Sequence, residues 1–275
     1  MASDRFEFGK NWKKYVENLD EEKITRAEDS LKEWLRIDSL VGKTFLDIGS
    51  GSGLFSLAAR RLGARVHSFD YDEDSVECTR RLRNKFFPDA GTWSVERGDA
   101  LDADYVAKYG KCDVVYSWGV LHHTGNMYKG LEIAGGAVKD GGKLFIAIYN
   151  DQGIWSDCWK AVKAAYNRLD GYWKYLILIP CFIRLWGPTT VKDLIAGKPF
   201  DHWIKYKKER GMTPWRDVVD WVGGYPFEVA KPEEIIDFYQ SRGFTLAKLY
   251  TCAGGHGCNQ YVFIKNRQEK ASPIP

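Results

Sequence analysis

Six cysteines are scattered through the chain without a single C-x-x-C spacing. Cys78, Cys112, Cys158, Cys181, Cys252 and Cys258 therefore read as reduced, mostly buried thiols, and the expected setting is cytoplasmic. "CAGGHGC" gathers Cys252, His256 and Cys258, but its spacing fits no common zinc pattern, so no metal site is expected. An excess of one charge is lacking too: 40 Lys and Arg stand against 37 Asp and Glu, a net charge of +3. That balance gives no whole-chain electrostatic case for a nucleic-acid binder. No apolar run reaches the roughly 20 residues of a spanning helix. The greasiest window, "YLILIPCFIRLWG" at 175–187, is broken by Pro180 and Arg184, and leaves only a peripheral membrane contact open. The opening "MASDRFEFGKNWKKY" lacks the apolar stretch of a secretory signal. Internal repeats and low-complexity tracts are absent.

What is present is an ordinary globular balance, 44% hydrophobic over 275 residues, with aromatics raised to 15% and eleven Trp. The length suits one α/β domain carrying an insertion. Residues 1–40 read as a helical cap. Within it Ile24, Ala27, Leu31 and Leu35 share one helix face. Strands and helices then alternate. "KTFLDIGS", "RVHSFDYD", "TWSVERGDA", "CDVVYSWGVLHH" and "KLFIAIYN" read as strands. "GLFSLAARRLG", "EDSVECTRRLRNKF" and "MYKGLEIAGGAVKDGG" read as helices, the last closed by Gly141 and Gly142. Such alternation implies a parallel sheet covered on both faces, with ligands at the C-terminal ends of its strands. Residues 151–227 break the rhythm, being helical, aromatic and basic. Residues 228–266 resume it with a helix and two strands joined by the Gly-rich loop, expected to form an antiparallel hairpin. Residues 267–275 read as a flexible tail.

The chemistry starts at "TFLDIGSGSGLFS", residues 44–56. A P-loop would need Lys-Ser/Thr after its last glycine, where Leu54 and Phe55 stand. A dinucleotide fingerprint counted from Gly49 and Gly51 would need glycine at Leu54. What "DIGSGSG" does match is acid-x-G-x-G-x-G. With it come Asp70 at the end of the second strand, Asp99 and Ala100 after the third, and "DVVYSWGVLHH" at the fourth. In this order they resemble the motifs of the class I S-adenosylmethionine (SAM)-dependent methyltransferases, of the small-molecule type similar to ubiquinone and menaquinone biosynthesis methylases. The resemblance covers residues 40–150 and 228–265. It implies a Rossmann-like α/β fold: a seven-stranded, mostly parallel sheet with a C-terminal antiparallel hairpin and a helical insertion after strand five. It also implies SAM as methyl donor, leaving as S-adenosylhomocysteine (SAH). Asp47, Gly49, Ser50, Gly51 and Gly53 would hold its methionine and ribose portion, and Asp70 with Tyr71 its ribose. Asp99 and Ala100 would hold its adenine, with Trp118 and Leu121 near the adenine or methionine end. Asp47 as a structural cap of the loop, and Asp99 as a helix N-cap, stay open beside these roles.

Methyl transfer to a hydroxyl needs a base at the strand ends, and His123, His122 and His256 are the candidates. Tyr149 and Asn150 stand nearby to orient an acceptor. Residues 151–227 fall where related enzymes build a substrate lid, and between 157 and 216 twelve Lys/Arg face five Asp/Glu. A basic, aromatic lid suggests a small anionic or amphiphilic metabolite as acceptor, taken on oxygen, nitrogen or sulfur. The same segment reads equally as a homodimer interface. Trp12 or Tyr15, in "FEFGKNWKKY" with Phe6 and Phe8, would close the donor site or simply pack on the core. Two other functions compete: a tRNA- or RNA-modifying methyltransferase, favoured by "KYKKERGMTPWR", and a non-catalytic SAM-fold binding protein.

Overall fold

The computed structural model describes residues 9, 12, 16, 17, 19–88, 91–210 and 213–267, without the side chains of 207–210. Phe6, Phe8 and Tyr15, the tail residues 268–275 and much of "KYKKERGM" therefore lie outside the described residues. Helix α1 spans Glu21–Leu35. Asp20 caps it by accepting from the Lys23 N–H at 2.9 Å, and Arg36 in the left-handed region ends it. Its buried face is Ile24, Ala27, Leu31 and Leu35, the set expected from spacing.

The core alternates β1 (Thr44–Ile48), α2 (Leu54–Arg61), β2 (Arg65–Asp70), α3 (Glu73–Phe86), β3 (Trp93–Arg97), the short α4 (Ala103–Ala107), β4 (Cys112–Trp118), α5 (Met127–Gly136) and β5 (Val138–Tyr149). After the helices that follow β5 come α10 (Pro232–Gln240), β6 (Phe244–Tyr250) and β7 (Cys258–Lys265). The seven strands lie in the order β3-β2-β1-β4-β5-β7-β6. Only β7 runs antiparallel, pairing β5 on one side and β6 on the other. This is the mixed, Rossmann-like sheet expected for the class I fold. One expected boundary is corrected. Helix α5 stops at Gly136 rather than at the Gly141–Gly142 pair, because Val138 already pairs with Cys112 on β4. The ladder then resumes at Val114 and Lys143 after an irregularity, so the two glycines sit inside a bulged strand.

Each face of the sheet buries its own layer. Ile24 and Leu31 of α1, Leu57 of α2 and Leu82 of α3 pack with Phe45 and Val66 on one side. Leu131 of α5 and Ile235 and Tyr239 of α10 pack with Ile48 and Ile146 on the other. Between β5 and α10 run α6 (Ile154–Arg168), α7 (Tyr175–Ile195), α8 (Asp201–Arg210) and α9 (Pro214–Gly223). These helices have a small core of their own around Tyr166, Leu178, Val218 and Val222. Helix α7 continues across Pro180 and Pro188. Among the described residues no helix is long and apolar enough to cross a membrane.

Gly53 locks the loop after β1 to the rest of the fold. It caps α2 with φ +81°, and a Cβ there would stand 2.8 Å from the Thr79 Cα of α3. Gly110 also has positive φ, +69°, but nothing lies within 4 Å of its Cβ position. Gly110→Ala should therefore cost only the backbone term of about 1 kcal/mol, while Gly53→Ala adds a clash with backbone and costs several times more. Urea unfolding of the two variants measures the difference, and equal losses would show that the α2–α3 contact does not constrain the loop.

Candidate functional site

The C-terminal ends of β1–β5 open into one cavity of about 1410 Å³. A cleft for a single small ligand typically holds about 300–1,000 Å³, so this cavity is larger than one such ligand needs. Asp47, Gly49, Ser50, Gly51, Asp70, Tyr71, Asp99, Ala100 and Trp118 all line it. Gly53 does not, being turned toward Thr79, and neither does Leu121. Leu121 is wholly buried in the core beside Met127 and Leu131, and its side chain does not line the cavity.

The loop end of the cavity is built around two acids. Asp70 is held by two backbone donors, the Gly51 N–H at 2.9 Å on one carboxylate oxygen and the Asp72 N–H at 2.9 Å on the other. Burial pushes its carboxyl up to about 6, against the pull of those N–H groups and with some help from the Asp72 charge. Asp47 is buried, and burial pushes it to about 7, opposed by the Ser56 hydroxyl and aided by Asp70. Ser56 spends its proton on Asp47, so in the 2.6 Å contact between the two serines Ser68 is the donor. Ser68 in turn accepts from the Trp93 indole at 2.9 Å. This buried chain orients one oxygen of Asp47. Asp99 accepts from the Leu101 N–H, whereas the N-cap of α4 is Asp102, so the capping alternative for Asp99 is not realised.

The sequence reading missed Tyr116, the β4 partner of Asp47. Its ring stacks on Phe55 at 5.0 Å and lines the cavity, while its buried hydroxyl has no hydrogen-bond partner among the described residues. A buried hydroxyl left unpaired costs roughly 1–3 kcal/mol. The signal was present in the sequence, since Tyr116 lies two residues before Trp118 and so on the same face of the strand. Trp12 also lines the cavity, with its indole nitrogen 3.2 Å from the Cβ position of Gly51. Any side chain at 51 would push that ring away. The Gly9 N–H donates to Asp72 at 3.0 Å, tying the N-terminal segment to the same rim.

The three histidines separate. His122 is fully buried, its ring 3.8 Å from that of Tyr149 and tilted against it, and it accepts from the Tyr149 N–H. Burial, then the His123 and Lys163 charges, hold its pKa well below the usual range, and it does not reach the cavity. His123 lines the cavity and donates Nδ1–H to the Pro226 carbonyl at 2.7 Å. That bond fixes the tautomer in which Nε2 carries the lone pair. His256 also lines the cavity, with its ring 3.8 Å from Trp221, and desolvation, then Lys163, push its pKa down to about 4. Asn150 is not at the cavity. It accepts from Asn259 at 2.9 Å and donates to the Gly255 carbonyl, holding the hairpin loop against β5.

The far end of the cavity differs from the basic lid expected. Among the described residues, the helices after β5 give it Leu185, Trp186, Tyr206, Asp217, Asp220 and Trp221, an apolar, aromatic and acidic set. Lys163 is buried behind them, donating to the Trp221 carbonyl with Nζ 3.9 Å from that indole ring. The cations that do line the cavity, Lys23, Arg26 and Arg97, come from α1 and β3. Among the described residues of these helices, no cation lines the cavity to meet an anionic acceptor.

A sequence model described as a methyltransferase domain matches residues 17–197, about two thirds of the chain. The chain belongs to that family. A ribosomal protein L11 methyltransferase from Helicobacter hepaticus is 43% identical over 51 residues, 18% of this chain and 16% of that protein. A ubiquinone biosynthesis O-methyltransferase from Methylobacterium sp. is 31% identical over 113 residues, 41% of this chain and 43% of the relative. The chain thus spans less than half the length of these curated relatives. Among solved structures, magnesium protoporphyrin IX methyltransferase from Synechocystis PCC 6803 with bound SAH has the same fold. Its TM-score is 0.55 at 16% identity, covering 94% of each chain. The class I SAM-dependent methyltransferase fold is therefore that of this family member.

A donor whose ribose hydroxyls bond Asp70 favours the ionised carboxylate. In the unliganded fold the raised pKa keeps the proton on Asp70 where the unfolded chain, near 3.8, has lost it. Its stabilising contribution is complete below about 3.8 and is lost as pH rises through about 6. SAM titrations near pH 6, run in buffers of different ionisation heat, should show proton release that fades well above that pH. Asp70→Ala should remove the part of the release centred near pH 6, leaving that of Asp47, which burial raises to about 7, and weaken binding by roughly 1.5–3 kcal/mol; undiminished affinity would remove Asp70 from the ribose site.

Proposed function

We propose that the protein moves a methyl group from SAM to an oxygen of a small aromatic or amphiphilic acceptor. The observation that carries this reading is the single cavity that Asp47, Asp70 and Asp99 share with His123 and Tyr149. When bound, SAM supplies an electrophilic methyl group on a cationic sulfur and leaves as SAH.

The chain's own groups divide the remaining work. The Asp47 oxygen not engaged by Ser56 suits the ammonium group of the donor's amino-acid end. Asp70 serves the ribose and the Asp99–Ala100 segment the adenine. Trp12 over Gly51 excludes water from this end. Opposite it, Trp221, Trp186 and Tyr149 offer flat apolar surface to an aromatic acceptor. His123 accepts the hydroxyl proton on Nε2, because Nδ1–H is committed to Pro226. The O-methyltransferase name of the Methylobacterium relative agrees with an oxygen acceptor. The acids at 217 and 220 favour a neutral or cationic molecule over a carboxylate or phosphate.

Labelled SAM offered with a panel of hydroxylated aromatic compounds tests the reading. With any acceptor that is methylated, His123→Ala should lower turnover by about 10²–10⁴ and leave SAM affinity nearly intact. Unchanged turnover would take the base role from His123.

A further inference from the structure

Helix α7 has two faces of opposite fate. One carries Leu178, Leu185 and Trp186, which pack among the surrounding helices, the last two also lining the cavity. The other carries Leu176, Ile179, Ile183, Val191, Leu194 and Ile195, each between 50% and 83% exposed. Their spacing of three, four, eight, three and one residues keeps them on one side of a helix about 30 Å long. Soluble monomers seldom leave so long an apolar stripe bare. Just before α7, Tyr172 is 90% exposed and Trp173 is exposed beside it. Such rings favour a boundary between apolar and aqueous phases.

Charge beside the stripe identifies what covers it. Arg184 and Lys192 are exposed on α7 next to the apolar residues, and Lys198 follows. The single carboxylate of α7, Asp193, is buried and accepts from the His202 backbone and ring. The outer surface of α7 is therefore apolar and cationic, with no exposed acid. We propose that this face docks on a membrane surface carrying anionic lipids. The apolar stripe enters the headgroup boundary, and the long Arg184 and Lys192 side chains reach the phosphates. A second copy of the chain fits less well, because a two-fold contact through this face would bring its own cations together. Docked in this way, α7 forms the wall between the lipid and the cavity.

Sedimentation of the full-length protein with phosphatidylglycerol-containing vesicles and with pure phosphatidylcholine vesicles tests the proposal. Binding to the anionic vesicles should be at least about ten-fold stronger and should fall in high salt. The double variant Ile179→Glu/Ile183→Glu should lose about ten-fold with an unchanged thermal midpoint. Arg184→Glu/Lys192→Glu, which leaves the stripe intact, should also lose binding, so a misfolded first variant does not decide the question. Wild-type protein that stays in solution with both vesicle types would overturn the proposal. So would equal binding to both, or variants that bind like wild type. A dimer that dissociates in the double variant, without vesicle binding, would assign the face to a second copy instead.

Discussion

The parallel register of β1 with its two neighbours is the constraint on which the site depends. Asp47 pairs with Ser68 of β2 on one side and with Tyr116 of β4 on the other. Partners in a parallel ladder point to the same face, so an acid, a serine relay and a phenol meet at one level of the sheet. One step along, Ile48 pairs with Phe69, and the chain leaves the sheet into the glycine loop just where Asp70 leaves β2. A slip of one residue would turn Asp47 to the opposite layer and break the chain from Trp93 through Ser68 and Ser56. The polar site and the apolar layers are thus fixed by the same pairing.

The helices between β5 and α10 add a second, looser unit whose inner and outer surfaces carry different chemistry. Its aromatic and acidic residues look into the cavity, while exposed cations and an apolar stripe lie outside. A sum over the sequence shows only a basic, aromatic segment. The distinction between faces comes from the packing of α6, α7 and α9 around Tyr166 and Val218. Lys163 contributes to that packing by spending its ammonium group inside an aromatic cage, on the Trp221 carbonyl.

The sheet and the glycine-loop end of the cavity are legible because period and punctuation agree there. β-branched and aromatic runs end in Asp47, Asp70 and Asp99, each followed by a turn, and right-handed crossovers bring those ends to one edge. Leu121 was misread because a loop residue after a strand points into a core as readily as into a cleft, and spacing alone does not distinguish the two. His122 and His123 are adjacent in sequence yet one is sealed and the other faces the cavity, a difference set by the carbonyl of Pro226, about a hundred residues away. Asp217 and Asp220 were overlooked for a related reason. Their i, i+3 spacing puts them on one face of α9, but nothing in the sequence says which face meets the cavity.

The central claim is that the cavity at the strand ends takes SAM at its glycine-loop end. Calorimetric titration of the wild-type protein with SAM and with SAH tests it most directly. Saturable binding of both at one site per chain is the expected result. The absence of binding heat for either ligand at millimolar concentration would contradict it.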